Sequence, residues 1–199
     1  MTSRCRAVFP LLLVVAVAFA IPAPSAFAAG RPAAARHDRS ASEPLRPAPD
    51  DRRIRTTDAR IRALIDVAVL ASPSLRALVE RVERSDVVVY VQCERYAPSR
   101  VAGRLTFISA VGGLRYVVVR LMRLESRAQQ IALLAHELQH AVEIADTPAI
   151  VDGPSLAREY RRMGHVNPWT STPGIAFDTA AAVDVGRQVL MEVGTATGD

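Results

Sequence analysis

Lysine is absent from this 199-residue chain: all 25 basic residues are arginine, set against 20 acidic ones. The arginines are spread along the whole length and are not interleaved with aromatics, which make up only 5% of residues. Such a bias is a trait of genome composition, and it argues against a nucleic-acid-binding surface. Cysteine is nearly missing too. Of Cys5 and Cys93, only the second lies beyond the N-terminal leader described next, so no intramolecular disulfide is expected. No separate His and Asp or Asn pattern accompanies Cys93, which reads as a small buried hydrophobe and not as a catalytic thiol. The longest apolar run, Phe9 to Ile21, has 13 residues, short of the roughly 20 that span a bilayer, so no stable membrane span is expected.

The N-terminus has the layout of an export signal. Arg4 and Arg6 give a basic start and supply +2 of the net charge of +5; the apolar run follows, and Ala26-Phe27-Ala28 is an A-x-A cleavage site. Residues 1–28 are therefore expected to be a cleaved signal peptide, which places the mature protein in a secreted or periplasmic location. Cys5 precedes the apolar run and does not occupy a lipid-attachment position. Residues 29–53, rich in Ala, Pro and Arg with no apolar period, read as a disordered arm. The remaining stretch, 54–199, is long enough for one domain with its own core and too short for two.

Within that domain the period of the apolar residues sets the elements. Ile61, Leu64, Ile65, Ala68, Leu75, Leu78, Val79 and Val82 recur at helical spacing and are interrupted at Ser72-Pro73, which predicts two short helices. Val87–Val91, Arg104–Ala110 and Arg115–Leu121 are rich in β-branched and aromatic residues, and Gly112-Gly113 is a tight turn between the last two. A helix is expected over 127–146, opened by a Ser126…Gln129 capping box and stopped by Thr147-Pro148. A short helix over Ser155–Met163 and a final one over Thr179–Val193 complete the chain. The expectation is an α+β domain with a three-stranded antiparallel sheet between N-terminal and C-terminal helices.

The third predicted helix carries Leu133-Leu134-Ala135-His136-Glu137-Leu138-Gln139-His140, an H-E-x-x-H motif. Because a helix advances about 100° per residue, His136 and His140 share one face, one turn apart, and can converge on one tetrahedral zinc ion. Glu137 then stands beside the ion, placed to take a proton from a water whose pKa the metal has lowered. Glu143 shares the histidine face but is about 4.5 Å further along the axis, a position for orienting a ligand or for a solvated carboxylate.

Helices, a small sheet and then a helix bearing H-E-x-x-H resemble the zincin metallopeptidases, in particular the gluzincins. The resemblance is strict over residues 136–140 and topological over about 86–193. It implies His136 and His140 as zinc ligands, Glu137 as general base, and a sheet whose edge strand pairs with an extended peptide or protein substrate. The third ligand stays open among three carboxylates. Glu159 follows His140 at the H-E-x-x-H-x18-E spacing of zinc aminopeptidases, but has Arg158, Arg161 and Arg162 around it and could equally pair with Arg162. Asp178, in Phe177-Asp178-Thr179-Ala180-Ala181, resembles the E-x-x-A element of other gluzincins with Asp for Glu, or is a plain N-cap. Asp146 holds the third-ligand position of metzincin-like H-E-x-x-H-x-x-G-x-x-D sequences, with Glu143 where the turn-making glycine would be. Tyr160 and His165 are available donors for an oxyanion, and Trp169 is placed to line a cleft; each also has an ordinary structural reading, in the core or in a polar loop.

The function expected is an exported zinc-dependent hydrolase, a metallopeptidase acting through Glu137. The alternative is a zincin-like module that binds metal or protein without turnover.

Overall fold

In a computed structural model the described residues are 15–16, 51–94, 102–166 and 176–196. The expected signal peptide and arm lie outside them, apart from Val15–Ala16 (β1) and residues 51–53. After Ile54–Arg55 (β2) come two helices, Ala59–Ala71 (α1) and Pro73–Glu83 (α2). Their boundary follows from Pro73. The residue before a proline is pushed out of the helical region, so Ser72 is extended, at φ −128° and ψ 113°, and its hydroxyl caps α2 by accepting from the Leu75 N–H.

The sheet is built from β2 with Val87–Glu94 (β3), Gly103–Val111 (β4) and Leu114–Met122 (β5). Gly112 and Gly113 both have positive φ, 61° and 75°, the backbone that a two-residue hairpin turn requires, and they join β4 to β5 antiparallel. The expectation of a three-stranded antiparallel sheet is corrected here. The order is β2-β3-β5-β4, and β3 pairs parallel with both β2 and β5. The burial of β3 explains why: Val87, Val88 and Val89 are all fully buried, the unalternating pattern of a central strand covered on both faces. β2 is only two residues long, too short to show a period.

Val87, Val89, Val91, Leu105, Phe107, Val117, Val119 and Leu121 form the inner face of the sheet and share one core with the helices. Arg127–Ala145 (α3) packs on that face and against α2 and Ala180–Ala196 (α5). From Gln130 to Leu138 every residue of α3 is buried, so it is a central helix with no solvated face over that stretch. Gly153–Met163 (α4) and the short strands His165–Val166 (β6) and Ala176–Asp178 (β7) lead into α5, and β7 pairs with β6 and β1. Among the described residues no helix is long and apolar enough to cross a membrane.

Two buried polar devices hold α3 and α5 in place. Arg115 on β5 is 6% exposed and grips Asp86 in a fork, Nε to Oδ2 at 2.7 Å and Nη2 to Oδ1 at 2.6 Å. The same guanidinium donates to the carbonyls of Ile144 (2.6 Å), Ala145 (3.2 Å), Thr147 (2.9 Å) and Ile150 (3.3 Å). It thereby adds a donor to carbonyls at and just beyond the end of α3 and sets a positive charge at the negative end of the helix dipole. On the opposite side, Glu192 of α5 receives Ser72 Oγ and, at 2.6 Å, Ser74 Oγ. Desolvation works against its carboxylate, but these hydroxyl bonds, with one from Gln188 and the Ser74 N–H, outweigh it and lower the pKa to about 2.

Arg115→Met should cost about 3 kcal/mol, because it removes the donor that the Ala145 and Ile150 carbonyls and the Asp86 carboxylate share. A loss under about 1 kcal/mol in denaturant titration, the level of a surface pair, would contradict that account. Because the folded pKa of Glu192 lies below its ordinary 4.5, the stabilisation it gives is complete above 4.5 and disappears as pH falls towards 2. The stability gap between wild type and Glu192→Ala should therefore be widest near neutrality and close between pH 4.5 and 2; a gap that does not change with pH would show that the carboxylate is not responsible.

Candidate metal centre

α3 starts at Ser126, whose hydroxyl accepts from the Gln129 N–H at 3.3 Å. It is Gln130 that reaches back to the preceding loop, accepting from Leu124 N–H and donating to Met122 O. Two turns later the motif enters the core, where His136, Glu137 and His140 are all 0% exposed. The imidazoles converge as the spacing predicts, with their Nε2 atoms 3.2 Å apart.

The third member of the cluster is Asp178. Its Oδ1 lies 3.4 Å from His136 Nε2 and 3.8 Å from His140 Nε2. Four ligands held tetrahedrally at zinc distances are separated from one another by about 3.3–3.4 Å. The triangle of 3.2, 3.4 and 3.8 Å is thus close to one face of such a tetrahedron, and His136, His140 and Asp178 could hold a metal ion. N-capping does not compete for Asp178. Thr179 caps α5 instead, its hydroxyl accepting from Ala182 N–H and its carbonyl from Val183 N–H.

The other two carboxylates are elsewhere. Glu159, expected as a possible metal ligand, forms an ion pair with Arg162 at 2.6 Å, so the i,i+3 pairing prevails. Asp146 caps the C-terminus of α3 and pairs with Arg81 at 2.6 Å, because without a turn-making glycine the helix runs on to Ala145. Where α5 faces α3, its residues are small. Ala181 is exposed, whereas Ala182 is fully buried, and a Cβ added at Gly186 would make ordinary contact, at 3.5 Å, with Ala132 O and His136 Cβ.

Glu143 anchors a network behind His140. It accepts from His140 Nδ1 at 2.8 Å, from the Tyr160 hydroxyl at 2.8 Å and from the Thr179 hydroxyl at 2.6 Å. With Nδ1 as the donor, the lone pair of Nε2 faces the cluster, the tautomer that a ligand needs. Tyr160 is accordingly a structural partner on the Nδ1 side of His140, not an oxyanion donor as the sequence had allowed. Trp169 lies outside the described residues, as does the side chain of His165.

The electrostatics fit a cation. Burial, then the neighbouring His140, holds His136 well below its ordinary pKa and so favours the neutral imidazole. The Ala182 backbone acts in the opposite sense, although no hydrogen bond of good geometry reaches Nδ1. Burial, and then the charges of Asp178 and Glu143, push Glu137 well above the usual carboxylate range. Neither Glu137 oxygen has a hydrogen-bond partner. Desolvation also opposes ionisation of Glu143, but its three donors win and lower its pKa. Burial raises Tyr160 well above its ordinary value, with Glu143 adding to the shift.

One site residue has no counterpart in the motif. Gly103 opens β4 beside Glu137: a Cβ there would lie 2.7 Å from Leu133 Cδ1 and closer still to Glu137 Oε1. The only hint in the sequence is a glycine at the head of a strand, which marks close approach as often as a turn.

The chain matches no protein-family model, no curated protein and no solved structure.

Glu143→Gln should weaken metal binding by about 10–100-fold, the usual effect of losing the group that orients a ligand. Competition against a chromophoric chelator measures this; an unchanged affinity would mean that Glu143 does not orient His140.

Proposed function

We propose that this protein is an exported zinc-dependent hydrolase of the peptidase class. The observation that carries the reading is the near-tetrahedral triangle of His136, His140 and Asp178 with the carboxyl of Glu137 one residue from the first ligand and bonded to nothing else. Two imidazoles and one carboxylate at these separations suit zinc, and a three-ligand set is the pattern of catalytic sites, structural ones being closed by four. Zinc bound there supplies Lewis acidity and lowers the pKa of a water in its remaining position.

The chain's own residues do the rest. Glu137 accepts the proton of the attacking water on a carboxylate oxygen and delivers it to the leaving amine. Glu143, Tyr160 and Thr179 keep His140 in its ligating tautomer. Gly103 leaves room for Glu137, and β4, at the edge of the sheet, offers its backbone to an extended peptide running past that carboxyl.

A second reading, a metal-holding domain without turnover, draws on one observation: the three ligands are 0–3% exposed. Elemental analysis of the full chain should find about one zinc, lost in His140→Ala, and hydrolysis of a mixed peptide library should fall about 10²–10⁴-fold in Glu137→Gln with zinc retained. Hydrolysis undiminished in that variant overturns Glu137 as the base. Zinc bound at full occupancy with no hydrolysis by wild type favours the second reading, and no zinc in a folded chain rejects both.

A further inference from the structure

Away from the candidate metal centre, at the carboxyl end of the parallel strands, lies a half-open cavity of about 260 Å³. Cys93 near the end of β3 contributes to it, as does Leu124, two residues beyond β5. Its apolar lining is completed by Ile61 and Leu64 of α1. Three exposed arginines also line it: Arg60 in the first turn of α1, Arg127 at the start of α3, and Arg123 in the connection from β5.

No ion pair joins Arg60, Arg123 or Arg127 to any carboxylate among the described residues, whereas eight other arginines there form one. Two of the three also stand in the first turn of a helix, where the dipole disfavours cations, and neither helix has an acidic residue in that turn. Two acids line the cavity. Asp58 is engaged in capping α1 through Arg60 N–H at 2.8 Å, which leaves Glu125 against three arginines. The wall is also fixed in advance. Gln130, only 6% exposed, pins Leu124 N–H at 2.7 Å and Met122 O at 3.2 Å, so the apolar floor and the guanidinium of Arg123 hang from a tethered segment.

We infer that this cavity binds a small amphipathic oxyanion, a carboxylate with a short apolar tail, with the head held by Arg60, Arg123 and Arg127 and the tail against Ile61, Leu64 and Leu124. Guanidinium pairs bind carboxylates through two parallel hydrogen bonds, and an apolar floor beneath a few convergent polar groups is the ordinary make-up of a small-molecule site. The site is independent of the metal centre and does not require the hydrolase reading.

Calorimetric titration of the full chain with hexanoate, acetate and inorganic phosphate at constant ionic strength tests it. Hexanoate should bind at least about tenfold more tightly than acetate or phosphate, and Arg123→Gln and Arg60→Gln should each weaken it about tenfold. Because Arg60 sits at a helix N-terminus, Arg60→Gln should melt no lower than wild type, which separates loss of binding from loss of fold. Hexanoate binding no tighter than acetate would remove the apolar subsite, and binding unchanged in both variants would overturn the assignment of the head group.

Discussion

Glu137 lies in the interior with neither oxygen hydrogen-bonded, and the arrangement around it makes sense as a response to that one group. A lone carboxylate removed from water costs several kcal/mol, a large share of the 5–15 kcal/mol that separates folded from unfolded domains. Asp178 and Glu143 add like charge to the same region, so the local field opposes ionisation still further. Neutral imidazoles bring lone pairs to the cluster but no charge. A divalent cation against His136, His140 and Asp178 is the economical remedy, and under the proposed function it is also what turns an idle buried acid into a working base.

Precision at that centre comes from polar groups that tie helix to helix. Glu143 is the junction of α3, α4 and α5, because its three donors come from His140, Tyr160 and Thr179. Arg115 closes the far end of α3 against β5, and Glu192 ties α5 to the junction of α1 and α2. Two of the candidate ligands sit on α3 and the third at the end of β7, just before α5, and the relative position of these elements is thereby set from both ends. Gly186 and Ala182 permit the close spacing, and the hydrogen bonds keep it.

Much of this could be read from the chain, and what could not has physical causes. Helical period, Pro73 and the Gly112-Gly113 pair located α1, α2 and the β4–β5 hairpin, since those signals are local. Strand order was not legible, because three β-rich segments in a row carry no mark of which two pair; the run Val87–Val91, apolar without alternation, was the one clue that β3 is central and parallel. At the site, His136 and His140 were fixed by helix geometry, while the third ligand depended on how a distant segment returns. Asp178 and Glu159 were equal as sequence patterns. Their difference is one of neighbours: Arg162 is one turn away from Glu159 on the same helix, and Thr179 relieves Asp178 of capping. Gly103 escaped notice because its contribution is an absent side chain.

That absent side chain has an evolutionary consequence. A methyl group at position 103 would press first on the carboxyl of Glu137 and on Leu133. Under the proposed function, a single codon change distant in sequence from the motif would thus act on the proton-handling group first. If that function holds, a lineage could lose turnover while keeping H-E-x-x-H intact, and position 103 would then report the chemistry better than the histidines do.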